Sequence, residues 1–192
     1  MLHVKFSAAR WRATLASLNV RNTRSRHLDT LWAAVSIKAG SGPALSSQTI
    51  SLGDHNNGPI SVPNCITPAV WIAGPGVPVK VGITVMNLGH NPDDEKIGDI
   101  AEAIVSTGAD DVLPGSGEII DAMYSVLGPI GFADCDGPVV LQVLLYGGKR
   151  GRLPGLKRSS KWYFSGTDNG YDSPTGCGSN SVYDYSGSLL HG

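Results

Sequence analysis

Val77-Pro78-Val79-Lys80-Val81-Gly82-Ile83-Thr84-Val85-Met86-Asn87-Leu88 is the stretch that decides the fold class. Val79, Val81, Ile83 and Val85 share one face of an extended chain, and Lys80, Gly82 and Thr84 take the other. A period of two in β-branched residues predicts a strand with one face in a core. The period then changes. Asn91-Pro92-Asp93-Asp94-Glu95-Lys96 reads as a helix start: Asn91 can cap, Pro92 suits the first turn, and acids follow at the positive end of the helix dipole. Ile97, Ile100, Ala101, Ile104 and Val105 recur at three and four until Gly108. A second run from Ser116, with Ile119, Ile120, Met123, Val126 and Leu127, stops at Gly128-Pro129. The spacing therefore predicts a pair of amphipathic helices over residues 92–128.

Strand signals lie on both sides of that pair. Upstream, Leu15–Val20 and Leu31–Ile37 are apolar runs divided by the polar, turn-rich segment Arg21–His27. Thr49–Leu52, Ile60–Val62 and Ala69–Ala73 follow, and Gly53-Asp54-His55-Asn56-Asn57-Gly58 is a strong turn signal. Downstream, the near-continuous apolar run Pro138–Tyr146 predicts a central strand buried on both faces. Lys161–Phe164 and Ser179–Ser186 complete about eight strands. Gly 25 and Pro 12 together make about a fifth of the 192 residues, which favours many turns over a helical bundle. The length fits one domain spanning 1–192, and no repeat is evident. The expectation is a mainly β chain: an antiparallel β-sandwich carrying the helical pair as an insertion, with an α+β open sheet as the alternative.

The formal charge of -1 hides a segregated distribution. Residues 1–38 carry seven Lys/Arg against the single acid Asp29, and residues 39–148 carry two Lys against twelve acids. Residues 149–161 hold six cations and no acid. Such asymmetry marks an interaction surface or self-association between unlike faces. No apolar stretch approaches the ~20 residues of a membrane span. The basic N-terminus resembles a transit peptide and lacks the apolar core of a secretory signal, but its alternation reads as a strand. Of three cysteines, Cys135 and Cys177 sit in polar, Gly-rich turns and are expected to form a disulfide, with Cys65 buried and free. That bridge would place the protein outside the cell or at its surface; three reduced thiols would place it inside.

Three acidic turns could hold a hard cation such as Ca2+, which takes about six to eight oxygen ligands. They offer Asp54 and Asn56, Asp134 and Asp136, and Asp168 and Asp172. None has EF-hand spacing, and Asp and Asn also serve such turns by bonding their own backbone. Asp134 and Asp136 on an extended segment would stand about 6.6 Å apart, within the range of hydrolase carboxylate pairs. There is no nucleophile elbow, phosphate loop, dinucleotide fingerprint or zinc motif. The basic run offers Lys149, Arg150, Arg152, Lys157, Arg158 and Lys161, followed by Trp162-Tyr163-Phe164, to an anionic polymer or surface. A pI near 6.5 gives no global basic field, so no specific nucleic acid is expected. The function expected is a non-enzymatic binding or self-assembling module, cation-stabilised, forming a homo-oligomer or larger assembly. A membrane-active protein releasing the helical pair and a hydrolase using Asp134 and Asp136 are the alternatives.

Overall fold

The computed structural model describes residues 9–25, 28–40, 45–72, 77–89, 94–106, 137–146, 160–167 and 181–191. They form β1 (Ala9–Asn22), β2 (Asp29–Ala39), β3 (Leu45–His55), β4 (Gly58–Ser61), β5 (Val70–Ile72), β6 (Val79–Asn87), α1 (Asp94–Ser106), β7 (Gly137–Tyr146), β8 (Ser160–Thr167) and β9 (Val182–His191). The strands divide between two sheets, not the single open sheet held as the alternative. The first runs β4-β1-β9-β8, with β5 also on β1; the second runs β3-β2-β6-β7. Every pairing is antiparallel.

One hydrophobic cluster draws on both sheets: Trp11, Leu15, Tyr183 and Tyr185 from the first, Leu31, Val35, Ile83 and Val139 from the second. The alternation in β6 places Val79, Val81, Ile83 and Val85 in that cluster, as the sequence predicts. Its other face is not solvated. Trp32, Ala34, Met86 and Leu141 form a second cluster with Ile97, Ile100 and Ala101, so α1 covers the second sheet. A 13-residue helix is marginal alone, whereas full burial of Ile97 and Ile100 is worth roughly 1.5–3 kcal/mol each. Packing therefore makes this helix. Ser36 Oγ donates to the Ala101 carbonyl at 2.7 Å, and Lys38 Nζ reaches Ser106 Oγ at 3.3 Å. The approach is close enough that a Cβ on Gly82 would fall 2.6 Å from Ser36 Oγ and 2.7 Å from Val105 Cγ1.

One expectation is corrected. Among the described residues β7 pairs with β6 alone, and positions 142–146 are only half-buried. The strands buried on both faces are β2 and β6. The helix of the 92–128 insertion is α1; the second expected helix, 116–128, lies outside the described residues. No described helix is long and apolar enough to cross a membrane.

β1 is longer than its apolar run predicts and changes phase. Trp11, Ala13 and Leu15 are buried, then Leu18 and Val20. The skipped position coincides with a register shift against β9 between Leu15 and Ser17, where an extra residue keeps both halves facing the core. Along the opposite edge of β1, the segment between β4 and β5 lies as a strap. Leu15 N donates to the Cys65 carbonyl at 3.0 Å and Thr67 N to the Ala13 carbonyl at 2.9 Å. Cys65 is unbridged and wholly buried beneath it.

Candidate functional site

The β1–β2 connection closes on a polar cluster. Asp29 is wholly buried, and both of its oxygens are used. Oδ2 accepts from Arg24 N at 2.7 Å and from the Tyr183 hydroxyl. Oδ1 accepts from Ser25 N at 2.8 Å and Ser25 Oγ at 2.7 Å. The Arg24 side chain reaches the start of β7, with Nη1 3.4 Å from the Pro138 carbonyl. Gly137 makes room for it: its φ is +147°, and a Cβ there would lie 2.8 Å from Arg24 Nη2. Burial pushes the Tyr183 hydroxyl pKa up; the Asp29 charge and its hydrogen bond act the same way, while Arg24 opposes. Tyr183 is thus a held proton donor and Asp29 a saturated acceptor. With Arg24, Asp29 and Tyr183 buried and Ser25 half-buried, the cluster acts as a clamp joining β1, β2, β7 and β9.

The strand registers show what that clamp organises. Asn22 lies opposite Val182, Asp29 opposite His55, Asn87 opposite Gly137, and Tyr183 opposite Thr167. The strand ends that lead to the three acidic turns (His55, Gly137 and Thr167) therefore lie at the clamp end of the two sheets. Tyr146 pairs with Val79 and Ser160 with Leu189, so the chain enters and leaves the basic run at the far end.

Of the expected cation ligands, Asp54 and Asn56 are described and exposed. Asp54 Oδ1 accepts from Thr30 Oγ1 at 2.7 Å, and Asn56 Oδ1 from Asn57 N at 2.8 Å, the local bonding expected of turn residues. No group of three or more His, Cys, Asp or Glu side chains gathers among the described residues. Asp134, Asp136, Asp168, Asp172, Cys135 and Cys177 lie outside them, as do Lys149, Arg150, Arg152, Lys157 and Arg158. Lys161 sits on β8 opposite Ser188. The sequence reading passed over the clamp, though a signal existed: Asp29 is the only acid among the first 38 residues. A lone carboxylate between apolar β2 and a run of arginines is placed to be buried and paired.

Comparison of the chain with protein-family models, curated proteins and solved structures gave no match.

Proposed function

We propose that this chain is a non-enzymatic antiparallel β-sandwich that works as a self-associating structural module, the acid-rich end of one copy receiving the basic end of the next. The observation that carries the reading is the polarity of the strand ends. Asp54, Asp134, Asp136, Asp168 and Asp172 adjoin strand ends at the clamp, and the run from Lys149 to Lys161 adjoins strand ends opposite. Asp93, Asp94 and Glu95 also follow the clamp end of β6 in the chain, whereas α1 carries the later acids of that stretch away towards Lys38. Contact between unlike patches is heterologous and builds rings or filaments, not closed two-fold dimers. In this reading a hard cation such as Ca2+ relieves repulsion among the acidic turns, and a Cys135–Cys177 bridge ties two connections of the clamp end together, as an extracellular or cell-surface module would require.

Light scattering across a salt series tests it. The Debye length is ~8 Å at physiological salt and ~3 Å at 1 M, so association should weaken as salt rises. Lys157→Glu with Arg158→Glu should weaken it further at low salt. A monomer at every salt concentration, or an assembly indifferent to both perturbations, would overturn the reading. Non-reducing peptide mapping tests the bridge: alkylation of all three thiols without denaturant would remove it.

A further inference from the structure

A depression of about 550 Å³ opens beside the first half of β1. Its walls are Arg10 and Arg12 of β1, Gln48 of β3, and Asn64, Ile66 and Thr67 of the strap. Among the described residues no acidic side chain lines it. At the depression, two exposed guanidinium-bearing residues project from alternate positions of one strand, about 7 Å apart.

The walls are fixed before any ligand arrives. β1 is paired on both sides here, Arg10 opposite Trp71 and Arg12 opposite Leu190. The strap is pinned twice at one residue. Thr67 N donates to the Ala13 carbonyl at 2.9 Å, and Thr67 Oγ1 accepts from Ala13 N at 3.0 Å. Asn64 turns the strap with a φ of 60°, a left-handed conformation that asparagine tolerates. Ile66 is one of two large apolar side chains exposed among the described residues, at 38%, and it belongs to this wall. Most isolated exposed apolar residues need no explanation. One held beside two arginines in a preformed hollow does.

We propose that this depression binds a phosphate or sulfate monoester, the oxyanion held by Arg12 with Arg10 as second cation and the carbon body lying on Ile66. A guanidinium presents its donors as a planar fork matched to such oxyanions, and walls ordered in advance reduce the entropy cost of binding. The site uses neither the run 149–161 nor the acidic turns, so it stands whether or not copies of the chain associate.

The test is an amide chemical-shift titration of the full chain with phenyl phosphate and, separately, phenyl sulfate. Saturable shifts confined to residues 10–12, 48 and 64–67 are expected, and the tighter of the two probes identifies the ester. Arg12→Gln should weaken binding about tenfold or more, consistent with loss of a charge-assisted hydrogen bond. Lys80→Gln removes the same charge from the second sheet and should leave affinity unchanged. The side chain of Arg12 is exposed, and retained shift dispersion in Arg12→Gln would verify its fold. Three results would each overturn the proposal: no saturation with either probe, shifts spread evenly over all lysines and arginines, or unchanged affinity in Arg12→Gln.

Discussion

Gly82→Ala places one methyl group where α1 meets the second sheet. The new Cβ would stand 2.6 Å from Ser36 Oγ and 2.7 Å from Val105 Cγ1, against the ~3.5–4.0 Å at which carbon contacts are favourable. Ser36 could rotate away, but its hydroxyl is the donor to the buried Ala101 carbonyl, and losing that bond costs about 1 kcal/mol. Val105 cannot turn easily, because a β-branched side chain in a helix holds one rotamer. The helix must therefore move, and overpacking of this kind costs roughly 1–3 kcal/mol. Against this stands the entropy the unfolded chain loses when Gly becomes Ala, worth ~0.4–1 kcal/mol. The clash wins, and a net destabilisation of about 1–3 kcal/mol is expected. Urea unfolding followed by far-UV circular dichroism and tryptophan fluorescence measures it, since Trp32 belongs to the cluster beneath α1. Val105→Ala alone should also destabilise, by ~1.5–3 kcal/mol. The double variant should fall short of the sum by about 1 kcal/mol or more, because the added methyl occupies the vacated space. A Gly82→Ala protein as stable as the parent, or strict additivity in the pair, would refute this packing of α1.

Asp29→Ala leaves Arg24 N, both donors of Ser25 and the Tyr183 hydroxyl without their acceptor and should cost ~3–5 kcal/mol, against ~1–3 kcal/mol for Tyr183→Phe. Equal losses in urea titrations would refute Asp29 as the hub of the clamp. Burial pushes the Cys65 thiol up to about 12 from its ordinary 9.0, so the unfolded chain loses this proton first. That contribution is present below pH ~9 and declines as pH rises towards 12, by up to ~1.4 kcal/mol per pH unit; Tyr183 acts with the same sign above pH ~10. Cys65→Ala should flatten the loss between pH 9 and 10, and an unchanged slope in reducing buffer would contradict it. Calcium should raise the melting temperature and chelator should lower it; indifference to both would leave the bonds of Asp54 and Asn56 as ordinary turn bonding.

The mainly β class was legible because alternation reports burial directly, and β6 shows the limit of that signal. Its apolar face was read correctly, yet Thr84 on the other face is also wholly buried, because α1 covers it. For β7 the error was of another kind: an apolar run records how dry a strand is, not how many strands pair with it. β1 was shortened because a bulge breaks the period on which a strand is recognised. Read with one residue skipped at the bulge, Trp11, Ala13, Leu15, Leu18 and Val20 form a single alternating series. The arginines at 10 and 12 were visible as neighbours, but the strap that turns them into a hollow is fixed by long-range bonds between residues 13–15 and 65–67. No local spacing encodes that contact.

The direction of α1 suits the lysines of the sheet beneath its last turn. Lys38 and Lys80 lie directly opposite each other on β2 and β6, an arrangement that costs ~0.2–1 kcal/mol for like charges. They sit near the last residue of α1, where Lys38 meets Ser106. The carboxyl end of a helix carries about half a negative charge, and α1 has no basic residue of its own in its last turn. The lysines of the sheet supply the cations that the helix lacks, and the helix offsets the repulsion between them. At its other end, α1 opens with Asp94 and Glu95 in sequence, acids suited to the positive amino end of a helix. Reversed, α1 would set its positive end over two lysines. The helix therefore takes the one orientation that its own dipole and the lysines beneath it both favour.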